Sequence, residues 1–494
     1  MTGMDNTIPL LIIAAFLIGI IAIGKLASRQ IETSDDYMIA GGGAPLGLIV
    51  GTLFATFWGG GVIIGATGAS YSDGIFGVVE DPFAAGLSLI LVGLFFVKIL
   101  RGLKIKSVGE LYSRRFGANT GYLASALMIP TYIIWTAVQL LAIGKILNVL
   151  FGINFNFAFI SATLIVVLFT YMGGLVAVVW TDAVQMVIIF IGLAAILWAG
   201  ISAAGGVDNI LNAAPKNYWD ILPKDRSPRG WIGYLAMWAG MGLGNIPSPD
   251  IAQRAFMAKN SKTAHRGMII AGGLYWTVGF IPIFIALTGI ALVSNGTLDP
   301  TLFAHDSELL VPYMAKTLLH PVSMGIFIAS LIAAVLSSAS SSLFATAVLF
   351  SNDIYKPLQL TRNNGGDIDD QSMLNATKFF VVIVGALAVG VGLSSSLIYD
   401  LTIFAFTLQL GVLFFPFILA LKARWVNTYG VVAGMLGGIT VNVIGCISQQ
   451  SIIPEPWEFF TLMPALINFL LIVTVSFFTR NRNKATPLES LYFE

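Results

Sequence analysis

Continuous apolar runs of about 18 to 28 residues recur along the whole 494-residue chain. As a helix, each run is long enough to cross a hydrocarbon core of about 30 Å. A membrane barrel would instead need short segments in which apolar and polar residues alternate. With 57% hydrophobic and 10% charged residues, the composition also lies outside that of soluble globular proteins. The sequence therefore predicts an all-α polytopic membrane protein.

About thirteen such runs can be distinguished, and no loop between them is long enough for a separate soluble domain. The first run is followed by Lys25 and Arg29 rather than by a small-residue cleavage site, which predicts a retained helix and not a signal peptide. The predicted spans are 8–28, 46–70, 82–100, 122–150, 155–172, 176–204, 231–252, 267–294, 319–349, 375–395, 398–421, 428–447 and 459–479.

Basic residues collect in the loops at one end of these spans. By the positive-inside rule those loops are cytoplasmic, which places the N-terminus outside and the C-terminus inside. Lys145, near the outer end of the fourth span, is expected to extend its ammonium group to the membrane surface. The main exceptions to the rule are Lys216, Lys224, Arg226 and Arg229 in an external loop. The cytoplasmic set is Lys25, Arg29, Arg101, Lys104, Lys106, Arg114, Arg115, Arg254, Lys259, Lys262, Arg266, Lys356, Arg362, Lys422, Arg424, Arg480, Arg482 and Lys484.

Two of the predicted spans contain residues that interrupt a helix. The second span contains Trp58-Gly59-Gly60-Gly61, and consecutive glycines relax the helix and release backbone carbonyls. The seventh contains Asn245-Ile246-Pro247-Ser248-Pro249-Asp250, where two prolines remove N–H donors. A close helix crossing at the glycines and a kink at the prolines are the alternative interpretation. Breaks five helices apart are typical of an inverted-repeat secondary transporter, in which they line a cavity.

A tract with five serines in nine residues, Ala334 to Ser342, lies inside the ninth span. At 100° per residue, Ala334, Ser337, Ser338 and Ser341 share one face of a helix. Their hydroxyls and a released carbonyl can bind a cation without a formal charge. Alternatively, serines in membrane helices bond back to their own helix or join two helices.

Ionisable residues within membrane spans are costly and therefore indicate function. Asp182, near the start of the sixth span, either binds a monovalent cation or reaches the interface and caps local structure. Glu80 and Asp81 begin the third span, either as a solvated helix start or facing an organic cation in an outer vestibule. Trp58 and Trp135 are either an aromatic wall that favours a cation or ordinary packing residues.

Other classes of function find no support in the sequence. There is no phosphate-binding loop and no paired-carboxylate pattern of a hydrolase, and the single cysteine, Cys446, rules out an intrachain disulfide. The net charge of +1 gives no indication of a nucleic-acid partner. The sequence does not predict an enzyme. Neutral oxygens with at most one carboxylate suit a monovalent ion better than Ca²⁺ or Mg²⁺, and sodium is the natural candidate.

Several short motifs together resemble the sodium:solute symporter family across nearly the whole chain. This resemblance implies a leucine-transporter-type core of two inverted five-helix repeats, with one helix before it and additional helices after it. The implied segments are 1–45, the first repeat 46–204, the second repeat with its external loop 205–421, additional helices 422–484, and a tail 485–494 that resembles an expression-tag remnant. The motifs are Ser34-Asp35-Asp36-Tyr37, Ala40-Gly41-Gly42-Gly43, Tyr171-Met172-Gly173-Gly174, Trp180-Thr181-Asp182 with Gln185, and Ala334-Val335-Leu336-Ser337-Ser338.

The resemblance also implies two ion sites. The sodium site common to the family would use the carbonyls of Ala55, Trp58 and Ala334 and the hydroxyls of Ser337 and Ser338. A second sodium, found in some members, would lie near Asp182, Ser340 and Ser341.

Within the family, the residues around Ala55-Thr56-Phe57-Trp58-Gly59-Gly60-Gly61 and Leu87 to Phe96 are most similar to the high-affinity choline transporter branch. Trp135 matches a pocket tryptophan of that branch. At three positions where the branch has an aromatic pocket residue, this chain has a different residue, namely Phe57, Ser248 and Ala85. The choline cage that the resemblance implies is therefore incomplete. The substrate-binding candidates are Phe57, Trp58, Gly59, Gly60, Trp135, Glu80, Asp81 and Ser248.

The sequence thus predicts a sodium-coupled symporter that imports a small organic solute across the plasma membrane, with quaternary amines as one solute class. Amino acids, monocarboxylates and sugars stay open as solutes, and so does the oligomeric state. A proton-coupled carrier that uses Asp182 is the nearest alternative, followed by a channel or a sensor with the same ion site.

Overall fold

The fold comes from a computed structural model, which describes residues 7–29, 31–362, 368–394, 398–451, 454–480 and 485–487. Within these ranges the chain forms helices and loops without β-strands, apart from one isolated bridge between Ala44 and Ala258. The predicted tail and its basic neighbours fall largely outside the described residues. The helices α1 to α22 are, in order, Thr7–Ser28, Ser34–Ile39, Leu46–Phe57, Thr67–Asp73, Ala85–Phe95, Val97–Gly102, Val108–Phe116, Ala118–Phe151, Phe155–Ala203, Val207–Asn212, Pro228–Gly244, Pro249–Met257, Ser261–Val278, Phe280–Ser294, Leu310–Leu318, Pro321–Val348, Lys356–Arg362, Asp370–Gly392, Ile398–Gln409, Phe415–Lys422, Thr428–Gln449 and Trp457–Phe478.

Ten continuous helical stretches in the described residues are long and apolar enough to cross a membrane, and the protein is an integral membrane protein. The difference from the predicted thirteen has three local causes. The second and third predicted spans share the stretch Gly61–Phe95, and the fifth and sixth share α9. The seventh is divided between α11 and α12, neither of which reaches 18 residues. The number of crossings and the orientation of the termini stay predictions.

Helix α9 changes direction at Gly174, where the backbone is left-handed with φ 51°. A Cβ atom there would lie 2.5 Å from the ring of Tyr37, whose hydroxyl donates a hydrogen bond to the carbonyl of Thr170 at 3.0 Å. Only glycine combines this backbone conformation with so close an approach. The change of direction falls between the fifth and sixth predicted spans.

Helix α16 passes through the middle of the bundle. Every residue from Phe327 to Val348 is buried, and the helix packs against α1, α8 and α9. A helix that is buried on all sides belongs to the interior of a large bundle. By contrast, apolar side chains such as Ile18 and Phe478 are 68% and 81% exposed on α1 and α22, at the periphery. The serine tract is therefore held in the most enclosed part of the molecule.

The expectation that Lys145 extends to the membrane surface is wrong. Its side chain is only 8% exposed, and its ammonium group lies 2.5 Å from Glu308 and 2.7 Å from Asp306. Glu308 also accepts a hydrogen bond from the backbone N–H of Tyr399 at 2.9 Å, near the start of α19. This buried ion pair connects α8, the segment before α15 and α19 at one end of the bundle.

We expect Lys145→Met to lower the free energy of unfolding by about 3–5 kcal/mol, because it leaves Glu308 buried without its counter-charge. Thermal unfolding of the purified protein in detergent measures this loss. Lys145→Met combined with Glu308→Gln removes both charges and should recover part of the stability. Equal melting temperatures for the wild type and the single variant would contradict the prediction.

Candidate functional site

The first break in the bundle follows α3, where the chain leaves the helical conformation at Trp58. Its backbone has φ −84° and ψ 69°, and helix resumes only after Gly60. The residues after the break form a wide, π-type turn from Gly61 to Ala66, a conformation frequent at functional sites. The interruption predicted from the glycine triplet is present, and it is buried in protein.

The two glycines after Trp58 allow a close approach to α8 and α16. A Cβ atom on Gly59 would overlap the amide oxygen of Gln139 and lie 2.6 Å from the hydroxyl of Ser338. The N–H of Gly60 donates a hydrogen bond to the same Gln139 oxygen at 2.9 Å. Larger residues at these positions would therefore separate three elements that meet at the break.

The serine tract of α16 contacts the end of α3. The Ser338 hydroxyl donates a hydrogen bond to the carbonyl of Thr56 at 2.7 Å and lies 3.4 Å from the carbonyl of Ala55. Ala334 is fully buried one turn earlier on α16. A hydroxyl that faces loosened carbonyls supplies the neutral oxygen ligands that suit a small monovalent cation.

Ser337 points to Asp182 on α9 instead. Its hydroxyl donates a hydrogen bond to one carboxylate oxygen of Asp182 at 2.5 Å, and Thr52 of α3 donates to the other at 2.5 Å. Asp182 is fully buried, so it does not cap a helix at the interface. The carboxylate and the hydroxyls of α3 and α16 thus form one connected group.

The remaining serines of the tract divide into two kinds. Ser340 and Ser342 bond back to the carbonyls of Ser337 and Ala339, each at 3.1 Å, as the alternative interpretation expected. Ser341 faces α3, with its hydroxyl 3.2 Å from the hydroxyl of Thr56. Of the face predicted from the 100° periodicity, which excludes Ser340 and Ser342, Ser338 and Ser341 meet α3 and Ser337 meets Asp182 on α9.

The assignment of Arg254 to a cytoplasmic loop is wrong. The residue lies on α12 with no exposed surface, and its guanidinium donates hydrogen bonds to the hydroxyls of Ser341 and Thr56 at 2.6 and 2.8 Å. It is 3.9 Å from Asp182 and one turn after Asp250, which accepts a hydrogen bond from Tyr132 at 2.5 Å. In their charged forms, two carboxylates and one guanidinium leave one negative charge. Because an uncompensated buried charge is costly, this cluster favours either an additional cation or a proton on one of the carboxylates.

The second break separates α11 from α12 at Asn245 to Ser248. The Ser248 hydroxyl donates a hydrogen bond to the amide oxygen of Asn245 at 2.6 Å and accepts one from Gln409 of α19 at 3.0 Å. The predicted interruption is therefore present here as well, and these side-chain hydrogen bonds help to hold it.

The two candidate tryptophans are both packed inside the bundle. Trp58 has no exposed surface and stacks on Phe54 with ring centroids 5.3 Å apart, whereas Trp135 meets Phe406 edge-on at 5.2 Å. Their indole N–H groups are nevertheless buried without a hydrogen-bond partner. The same is true of the amide nitrogen of Gln139. Because buried polar atoms are normally satisfied, these three donors are candidates to bind a polar ligand or water.

Glu80 and Asp81 are not a solvated helix start, since they are only 7% and 0% exposed. The Tyr275 hydroxyl donates a hydrogen bond to one oxygen of Asp81 at 2.8 Å and lies 3.0 Å from the carbonyl of Phe57. The other oxygen of Asp81 is buried without a partner. Tyr275 also meets the Trp58 ring edge-on at 5.7 Å, which places a carboxylate next to the aromatic residues of the break.

Comparison with known proteins identifies the family. The model of the sodium:solute symporter family matches residues 37–438, which is most of the chain. The chain belongs to the sodium:solute symporter family. Both helix breaks, the serine tract and Asp182 lie within the matched region of this symporter-family protein.

Named relatives within the family transport different solutes. The chain is 27% identical to the high-affinity choline transporter 1 of Torpedo marmorata over 89% of this chain and 76% of that protein. It is 26% identical to the sodium/glucose cotransporter of Vibrio parahaemolyticus over 71% of this chain and 69% of that one. Family membership thus supports sodium-coupled symport and leaves the solute open.

Among solved structures, the chain is similar to a Na⁺-coupled sialic acid symporter in a substrate-bound outward-open state. The TM-score is 0.79 at 21% identity, and the match covers 97% of this chain and 99% of that one. The symporter-family protein therefore has the leucine-transporter-type helical fold. The boundaries of the repeats stay predictions.

Several residues of this family member's site were missed from the sequence. Thr52 and Thr56 lie four residues apart on α3, a spacing that places both on one helix face. Gln139 is a polar residue in the middle of an apolar span, and Asp250 and Arg254 have the same four-residue spacing. The sequence therefore contains signals for these residues. It contains none for Tyr275, since a tyrosine in a membrane helix is usually a packing or interface residue.

Proposed function

We propose that this protein is a sodium-coupled symporter that imports a small organic cation. The contact of the Ser338 hydroxyl with the carbonyl oxygens at the end of broken α3 carries the sodium part of the proposal. It brings neutral oxygens from two helices to one point in the interior of the bundle. The transporter relatives and the family match support the same activity.

The proposed common sodium site uses the carbonyls of Ala55, Trp58 and Ala334 and the hydroxyls of Ser337 and Ser338. The proposed second site consists of Asp182, Ser340 and Ser341. The negative charge left by the cluster of Asp182, Asp250 and Arg254 in their charged forms supports a further cation there.

The buried carboxylate of Asp81 supports a cationic substrate. Among the ion pairs of the described residues, none includes Asp81, and one of its oxygens has no partner. The rings of Trp58 and Tyr275 lie next to it, and an aromatic face attracts an organic ammonium group. We place the substrate between these groups, Phe57, Gly59, Gly60, Trp135 and Ser248, with Glu80 on the outer side.

Sodium would drive uptake through its contacts with both α3 and α16. An ion that holds these helices in the outward-facing arrangement favours that state, and the substrate then binds beside the break. Each sodium ion that moves inward contributes about 2.3 kcal/mol per 100 mV of membrane potential, in addition to its concentration gradient.

We expect purified protein in proteoliposomes to accumulate labelled choline when an inward sodium gradient is imposed at fixed pH. A proton gradient at fixed sodium should give no accumulation. Competition by other quaternary amines, amino acids, monocarboxylates and glucose then defines the solute class. Uptake driven by a proton gradient alone would contradict sodium coupling and favour a proton mechanism at Asp182. Sodium-driven uptake of only sugars or anions would contradict a cationic substrate.

A further inference from the structure

A cavity of about 270 Å³ lies apart from the serine tract, at the end of the bundle opposite the basic loops. It is bounded by the start of the third span, by α11, by α19 and by the ends of α21 and α22. Asp400 is near one end of the membrane stretch Ile398–Lys422, whose other end carries Lys422. Glu80 comes just before the third predicted span, which is followed by Arg101. The cavity thus lies on the side that the charge distribution predicts to be external.

Three carboxylates line this cavity. Only 7% of the surface of Glu80 is exposed, and its carboxylate has no hydrogen-bond or ion-pair partner among the described residues. Asp400 and Glu455 are exposed. The charge therefore continues from an exposed rim to an enclosed, unpartnered carboxylate, an arrangement that concentrates cations in a cleft.

Two basic residues interact electrostatically with the rim, Lys145 with Asp400 and Arg229 with Glu455, but both make their ion pairs elsewhere. No lysine or arginine lines the cavity in the described part of the chain. Arg229 lies 2.5 Å from Glu458, which is not part of the lining, and Lys145 is held by Asp306 and Glu308. A free anion would meet repulsion here.

Aromatic side chains form much of the remaining wall, among them Tyr399, Trp457 and Phe460. Aromatic faces attract alkylammonium groups more than they attract hydrated inorganic ions. The volume is slightly below the usual range for ligand pockets, about 300 to 1,000 Å³, which limits the ligand to a small molecule.

From these observations we infer that the cavity is a second, external binding site for a small organic ammonium ion, which adjoins the site at Trp58 and Asp81 and shares Glu80 with its outer side. It would hold the cation at low affinity before the inner site binds it. The role of this site in transport rests on the proposed function, the import of an organic cation. Binding at the site does not, because it requires only Glu80, Asp400, Glu455 and the aromatic wall.

The test measures binding of choline to the full-length protein in detergent without sodium, by equilibrium dialysis with labelled choline. Its uncharged isostere 3,3-dimethylbutan-1-ol serves as the competitor. We expect sodium-independent binding that the isostere does not displace. Glu80→Gln and Asp400→Asn should each weaken it by roughly tenfold, which corresponds to one lost charge contact.

Glu110→Gln, at the opposite end of the bundle and paired with Arg114, is the matched control and should leave binding unchanged. Unchanged affinity in both cavity variants, or equal competition by the neutral isostere, would overturn the inference. The isostere experiment uses only the wild type, so it holds even where a variant does not fold. Charge-dependent choline binding without any sodium-driven uptake would retain the external site and refute the proposed function. Sodium-driven uptake without sodium-independent choline binding would retain the proposed function and refute the external site.

Discussion

The double variant Ser337→Ala/Ser338→Ala is expected to lose sodium-stimulated uptake. The two hydroxyls contact Asp182 and the carbonyl oxygens at the end of α3, so their removal takes away two of the proposed sodium ligands. At about 1.5 kcal/mol for each interaction with a charged group, the sodium concentration for half-maximal uptake should rise roughly 100-fold. Uptake into proteoliposomes, measured as a function of external sodium, provides the test.

Ser330→Ala is the matched control for this variant. Ser330 is also buried on α16, but its hydroxyl donates a hydrogen bond to the carbonyl of Phe327 in its own helix at 2.6 Å. The Ser330→Ala variant should therefore show the same dependence of uptake on external sodium as the wild type. If the double variant folds and shows that same dependence, the common sodium site is not where we place it.

The second large effect is expected from Arg254→Met. This change leaves Asp182 and Asp250 buried without their nearby guanidinium, and we expect a loss of about 3–5 kcal/mol in the free energy of unfolding. Sodium should raise the melting temperature of this variant more than that of the wild type, because a bound cation would replace part of the missing charge. Thermal unfolding with sodium or with potassium measures both effects.

Arg254→Met/Asp182→Asn serves as the control, since it removes one charge of each sign and should recover part of the stability. Asp182→Asn by itself also tests the second ion, because it should lower the Hill coefficient of uptake for sodium. A wild-type coefficient near one would argue against a second ion. If the Arg254→Met variant is as stable as the wild type and sodium does not raise its melting temperature further, the role that we give to the cluster is refuted.

Much of the architecture could be read from the residues in order. The length of the apolar runs predicted membrane helices, and the glycine triplet after Trp58 and the prolines around Ser248 predicted the two breaks. The 100° rotation per residue also predicted which serines share a face, and Ser338 and Ser341 do meet α3. These features are local, so chain order is sufficient to find them.

The buried charges could not be assigned in this way. Arg254 was expected in a loop and Lys145 at the surface, and Glu80 and Asp81 were left either in solvent or facing an organic cation. Each of these residues lies at the end of an apolar run, where either environment is compatible with the sequence. The paired groups are far apart in the chain: Arg254 reaches Ser341, and Lys145 reaches Glu308.

The sequence by itself therefore determined that this is a helical membrane protein with two interrupted spans and a polar face on its ninth span. The tertiary structure decided which charged residues are enclosed and what they contact. The physical reason is that helical periodicity defines the direction of a side chain relative to its own axis. The cost of burying a charge, in contrast, depends on the neighbouring helices that remove water and supply partners.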